Sequence, residues 1–492
     1  MAWGWNSMNI YWMFALADLV PVVLIIATTP LRGLSRVLAP DTQVAVMLFA
    51  IFAIRPLFTN RFEASKSIYS GFYGFVPTRD EQIAASIVGV LLLWSIAVGA
   101  VWFSQWRKWS PLRNLTEETE RRPPDGSTHL PYARAVFIAL GGLSLYLLAL
   151  IYYRGLGTVL AMPRGRNAEV APQGVPEILD VFPLAGSLAA ATLILMAQSR
   201  PIPVRARIAV FLCTSFSVVA VSQLGNRRFM IPAVMIVLTA LLMRKMAPLR
   251  LWHAFAGVVL LAVFAVVPFV RSEGNRPGEN LAEAIVRYLG DFGFIAVFRN
   301  IFTTYDTEMY DYIAVVSSRL ESGRADFGWG RGIFVEFLTH PLPFSMMGYT
   351  ERSNEVRSYL FSFNCGSDCR LPLPVPSVGG VLYFDAWYFG VVIGGLIVGM
   401  AVRALALRWH RASVSTVMQN VVTAVCVSFS AIAARTETIT ALWLCIYTLM
   451  VAYPVLVVIG ARTSPRNSSR AEDGLERANP VMRRAESTCT SR

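Results

Sequence analysis

The sequence predicts an all-α polytopic membrane protein of about 11 transmembrane helices, with one large, partly helical extracytoplasmic loop. Three observations predict it. Of 492 residues, 55% are hydrophobic and 15% charged, where soluble domains hold roughly 45–50% apolar and 25% charged residues. The apolar residues arrive in runs of helix-spanning length, more than a soluble core can hide. Arginine and lysine are concentrated in alternate connections, which is how topology is recorded in membrane proteins.

Spans are expected near residues 9–29, 39–54, 82–105, 135–153, 180–198, 208–224, 229–243, 251–270, 383–402, 413–434 and 439–460. The second is the weakest, being cleanly apolar only from Thr42 to Ile54. The sixth and seventh are short. The first run contains Asp18 and Pro21 and follows no basic stretch, so it reads as a span rather than a cleavable signal.

With the C-terminus in the cytoplasm, the cytoplasmic segments are 30–41, 106–134, 199–207, 244–250, 403–412 and 461–492, and they carry 24 of the 44 Lys and Arg. The rest are spread over far more residues, ten of them in one long loop. The positive-inside rule therefore predicts an extracytoplasmic N-terminus and a cytoplasmic C-terminus; the membrane expected is the inner (cytoplasmic) one. The chain divides into a membrane bundle of about eight spans (1–270), an extracytoplasmic cap (271–382), three C-terminal spans (383–460) and a polar tail (461–492) expected to be disordered. The linker 115–130 reads as a mobile cytoplasmic loop, and no internal repeat is visible. The net charge of +13 does not indicate a nucleic-acid partner, because the basic residues are dispersed between spans.

Several short stretches carry candidate chemistry. Gly225-Asn226-Arg227-Arg228 places two arginines in an extracytoplasmic turn between short spans, against the topological trend. Held near the headgroups, they need anionic partners. Either they snorkel to lipid phosphates, or they bind a phosphate ligand through their planar forks. Arg271 and Arg276, after the eighth span, lie at the same face; alone they read as interfacial anchors, and with Arg227 and Arg228 as a cationic pocket for a pyrophosphate. The acidic-aromatic run Tyr305–Asp311 offers Asp306 and Glu308 to a sugar hydroxyl, and Tyr305 and Tyr310 to sugar faces. For any single residue of this run the favoured reading is the polar face of an interfacial helix. His340 is the one histidine of four expected outside, a candidate general base with no partner for a metal site. Cys365 and Cys369 lie close together in the outer loop, where a local disulfide is the favoured state. No phosphate-binding loop, dinucleotide-binding glycine pattern or HExxH is present, so neither a cofactor nor a metal is expected.

Three segments together resemble the bacterial oligosaccharide repeat-unit polymerase (O-antigen polymerase) family. These are 223–276 (from QLGNRRFM to VRSEGNR), 305–343 (YDTEMYDY to THPLP) and 376–400 (PSVGGVLYFDAWYFGVVIGGLIVGM). The sequence departs from the family pattern at Asp385-Ala386-Trp387 and in having Arg228 directly after Arg227. The resemblance implies a glycosyltransferase class C type of membrane fold. It also implies transfer of a growing chain from polyprenyl pyrophosphate to the terminal sugar of another lipid-linked repeat unit, for a surface polysaccharide of the cell envelope. Arg227, Arg228 and Arg271 would stabilise the leaving pyrophosphate, with Arg276 helping to bind it. Asp306, Glu308 or His340 would engage the acceptor hydroxyl, and Asp385 is a further candidate. Implied partners are lipid-linked oligosaccharide, membrane lipid, and flippase and chain-length regulator proteins. Two alternatives remain: a ligase moving the glycan to another acceptor, and a flippase or transporter of lipid-linked sugars, which would favour charges at mid-membrane and pseudo-symmetric halves.

Overall fold

The structure, a computed structural model, describes residues 3–57, 75–109, 130–154, 177–197, 202–223, 227–244, 286–287, 290, 309–323, 327–340, 356, 359, 376–412, 415–435 and 438–460. The expected eighth span, most of the cap, the interior of the 115–130 linker and the tail lie outside these residues.

Among the described residues every regular element is helical. The main helices are α1 (Trp3–Thr28), α2 (Pro40–Phe49, prolonged by a π-turn Ala50–Ile54), α3 (Arg79–Trp109), α4 (Tyr132–Arg154), α5 (Leu184–Met196), α6 (Val204–Gln223), α7 (Arg227–Met243), α8 (Met309–Glu321), α9 (Val378–His410), α10 (Val417–Arg435) and α11 (Thr438–Ile459). Seven of the described helices are long and apolar enough to cross a membrane, and two shorter apolar helices, Leu184–Met196 and Ile231–Met243, accompany them.

The bundle is apolar outside as well as inside. On α1, Tyr11, Ala15, Val22 and Ile25 are buried, while Met13, Leu16, Val20 and Val23 are exposed. Exposed apolar residues on a long helix suit lipid rather than water. Two cores result. One surrounds α5, every residue of which is buried among α4, α6, α7, α10 and α11. Pro183 precedes α5, and Ser217 of α6 inserts there: its hydroxyl donates to the Pro183 carbonyl (2.6 Å) and accepts from the Ser187 N–H (2.8 Å). The other core joins α1, α2, α3, α8 and α9.

Buried charges tie this second core. Arg403 of α9 meets Asp41 of α2 at 3.2 Å and donates to the Thr28 carbonyl (2.6 Å) and hydroxyl (2.9 Å), closing the C-terminus of α1. Thr29 donates to both Asp41 carboxylate oxygens, and the Thr42 N–H donates to one of them. Arg55, at the end of α2, pairs with Asp311 of α8 at 2.6 Å.

The expected span 383–402 is longer and more complex than its apolar run suggests. The helical run starts at Val378 and continues to His410, but Ala386 (φ −152°) and Trp387 (φ 55°) break it. The chain reverses there. A Cβ added at Gly390 would stand 2.5 Å from the Leu382 carbonyl oxygen, and one at Gly394 would overlap the Leu382 side chain. Residues 378–385 therefore form a short arm antiparallel to the long one. The arm's N-terminus is capped by Ser377, whose hydroxyl accepts from the Gly380 N–H (3.3 Å). Gly379 and Gly395 both lie against Leu92 of α3, so the arm reaches well down the bundle. Irregular backbone at such depth is tolerated where protein surrounds it. The long arm packs backbone to backbone on α3: a Cβ at Gly399 would meet the Ile96 carbonyl, and one at Gly99 the Leu396 carbonyl. Small residues allow that approach.

The other ends of α1, α7 and α9 converge. A cavity of about 360 Å³ there is lined by Leu31, Arg32, Leu242, Met243, Trp409 and His410 among others. Two of the connections expected on one side from their arginine content, 30–41 and 403–412, thus meet at one end of the molecule beside the end of α7.

Candidate functional site

The reversal in α9 is the most unusual backbone among the described residues, and it carries Asp385. Among the described residues, two other than glycine have positive φ, Trp329 (48°) and Trp387 (55°). A bulky side chain in that region costs about 1–3 kcal/mol and persists only where surrounding contacts impose it. Here they do. The Gly328 N–H donates to the Phe384 carbonyl (3.0 Å) and the Trp329 N–H to the Asp385 carbonyl (2.8 Å), satisfying the end of the short arm. Gly328 is needed for this approach, since a Cβ would lie 2.5 Å from Oδ1 of Asp385 and 2.7 Å from the Phe384 ring.

The result is an aromatic platform over a carboxylate. Trp329 is 79% exposed and Trp387 48%, while Asp385 beside them is 2% exposed. Phe327 bridges the two indoles, with ring centroids 6.1 Å from each. Tyr388 lies 4.9 Å from Trp387 and 5.3 Å from Tyr383, and the Trp387 indole N–H donates to the Tyr383 hydroxyl (3.2 Å). Arg319 of α8 sits 5.9 Å from the Phe384 ring centre, placing a guanidinium behind the short arm. Exposed indole faces suit the C–H faces of sugars, and a carboxylate at their edge suits hydroxyls.

The residues singled out from the sequence fall in different places. Arg227 and Arg228 begin α7, at the end opposite Met243 and the cavity, and hence at the same end of the bundle as the α9 reversal; their side chains lie outside the described residues, as do those of the flanking turn. Arg271, Arg276, Tyr305, Asp306, Glu308, Cys365 and Cys369 also lie outside them. Tyr310 is 2% exposed, its ring beside Phe52 and its hydroxyl donating to the Gln82 carbonyl (2.5 Å) and bonded to Ser86 (3.0 Å). That is an interior position between α8 and α3, with no sugar-stacking face. His340 follows a π-turn (Arg331–Val335) and a helical turn (Glu336–Thr339) and stacks on Trp443 of α11, centroids 6.5 Å apart. The π-turn packs on α9, whereas the helical turn before His340 packs on α11, so His340 belongs to the α11 contact rather than to the α9 reversal. Among the described residues no group of three or more His, Cys, Asp or Glu gathers at one point.

Trp329, Trp387 and Arg319 had no role in the sequence reading. The only signal for the first two was their position in Gly-Trp-Gly and Asp-Ala-Trp, and nothing local announces that these meet.

Long apolar helices, an apolar exterior and interior ion pairs define a helical membrane protein. Comparison with known protein families, with curated proteins and with solved structures finds no match for the chain.

Proposed function

We propose that the chain is a membrane glycosyltransferase that polymerises polyprenyl-pyrophosphate-linked oligosaccharide repeat units at the extracytoplasmic face. The observation that carries this reading is the α9 reversal, which holds Asp385 beneath two exposed tryptophans at the end of the bundle where Arg227 and Arg228 begin α7. In the reaction, the anomeric carbon–oxygen bond to the pyrophosphate breaks and a bond to the acceptor oxygen forms. The acceptor proton passes to a base, and the lipid pyrophosphate leaves with the bonding electrons. Asp385 is the base in this scheme, the indoles hold the acceptor sugar, and the α7 arginines stabilise the developing charge on pyrophosphate.

Purified protein given lipid-linked repeat units, with no nucleotide, should produce a ladder of longer glycans. Asp385→Asn should lower turnover by about 10²–10⁴-fold, and Arg228→Lys should lower it strongly at normal expression. Trp329→Ala should chiefly raise KM for the acceptor. Full turnover in Asp385→Asn removes the carboxylate from the chemistry.

One observation favours the transporter reading: Asp18 is buried in the middle of α1. The same preparation in liposomes separates the two readings. A transporter moves the lipid-linked sugar across the bilayer and leaves its length unchanged.

A further inference from the structure

Asp18 lies on the face of α1 formed by Tyr11, Ala15, Val22 and Ile25, the face that packs on α2 and α3. It is fully buried, and neither carboxyl oxygen has a hydrogen-bond partner among the described residues. The other ionisable groups on its own helix and on the elements packed against it are engaged elsewhere or stand at the helix ends. On α1, Tyr11 donates to Gln82. From α2, Asp41 is held by Arg403 of α9, and Arg55 by Asp311. On α3, Glu81 accepts from the Thr78 N–H, and Arg79 and Asp80 lie exposed in the first turn.

A carboxylate left ionised and alone in such surroundings would outweigh the stability of a whole domain. A metal ion needs several oxygen ligands, and Asp18 supplies only its own two. A proton needs none beyond the carboxyl itself. We propose that Asp18 is a proton-binding site within the membrane, and that its proton holds α1 docked against α2 and α3. The site is distinct from the platform at the α9 reversal and does not depend on the reaction assigned there.

The docked form carries a proton that an exposed aspartate gives up near its usual value of about 3.9. Docking is therefore strongest at low pH and weakens as pH rises, because the undocked form binds fewer protons. For proton release, water must reach Asp18, which requires α1 to part from its neighbours.

The test compares apparent melting temperatures of the detergent-solubilised chain and of Asp18→Asn, which keeps the shape of the neutral carboxyl. Between about pH 6 and pH 9 the unsubstituted protein should lose about 2–4 °C or more that the variant keeps. Other groups titrate in both proteins and cancel in the difference. Identical pH profiles would overturn the proposal. Should Asp18→Asn not accumulate, infrared spectra of protein labelled with carbon-13 at its aspartate carboxyls decide the matter. A protonated-carboxyl stretch persisting at about pH 8 supports the site, and carboxylate bands alone refute it.

Discussion

Arg55 and Asp311 stand 256 positions apart in the chain, yet their side chains meet at 2.6 Å with 0% and 10% exposure. The pair fastens α8 to the end of the second span. Removing one partner strands the other, which typically costs about 3–5 kcal/mol, whereas replacing both with apolar residues of like volume is often neutral. Asp311→Ala should therefore lower the melting temperature markedly, and Arg55→Met combined with Asp311→Leu should restore most of it. A double variant no better than the single one would show that the pair does more than satisfy itself. Asp311 was visible in the sequence as part of an acidic run, but a run of carboxylates does not say which is turned inward. The same holds for Tyr310, whose neighbours in the chain suggested a sugar and whose position in the fold is the α3–α8 contact.

Among elements, α3 and α9 form the most intimate pairing, resting on Gly99, Gly395 and Gly399. A side chain at Gly99 or Gly399 meets a backbone carbonyl, and one at Gly395 meets the Ser95 Cβ, none of which can swing away. Gly399→Leu should separate the two helices and sharply reduce yield of folded protein in size-exclusion chromatography, while Gly141→Leu, where a Cβ meets nothing within 4 Å, should be tolerated. Seven of the expected spans are long apolar helices among the described residues, and these were legible because a bilayer demands long apolar runs, which have few other uses. The reversal inside α9 was not legible. Residues 376–400 are apolar almost throughout, so hydropathy passes over the break, and a tryptophan at positive φ has no signature in composition. Asp385 was within reach of the sequence reading as an oddly placed acid. Its partner Trp329 was not, since a backbone hydrogen bond joins the two across 56 positions of sequence.

For the molecule as a whole, Leu31, Met243 and His410 line one cavity, and Arg227 and the reversal at Trp387 lie at the opposite ends of their helices; the arginine distribution predicts that the cavity end faces the cytoplasm. With native cysteines replaced, Asn226→Cys should react with a membrane-impermeant maleimide in intact cells, and His410→Cys only after permeabilisation. The reverse pattern would turn the platform toward the cytoplasm, where lipid-linked repeat units are not displayed for outward polymerisation.

The enclosed helix α5 has a bearing on how the chain is made. At 13 residues it measures roughly 20 Å against about 30 Å of hydrocarbon, and it is ringed on all sides by other helices. A segment so short has little reason to leave the insertion machinery sideways into lipid by itself. Of the five helices that ring it, α6, α7, α10 and α11 all follow it in the chain, so its burial is complete only once the last of them is in place.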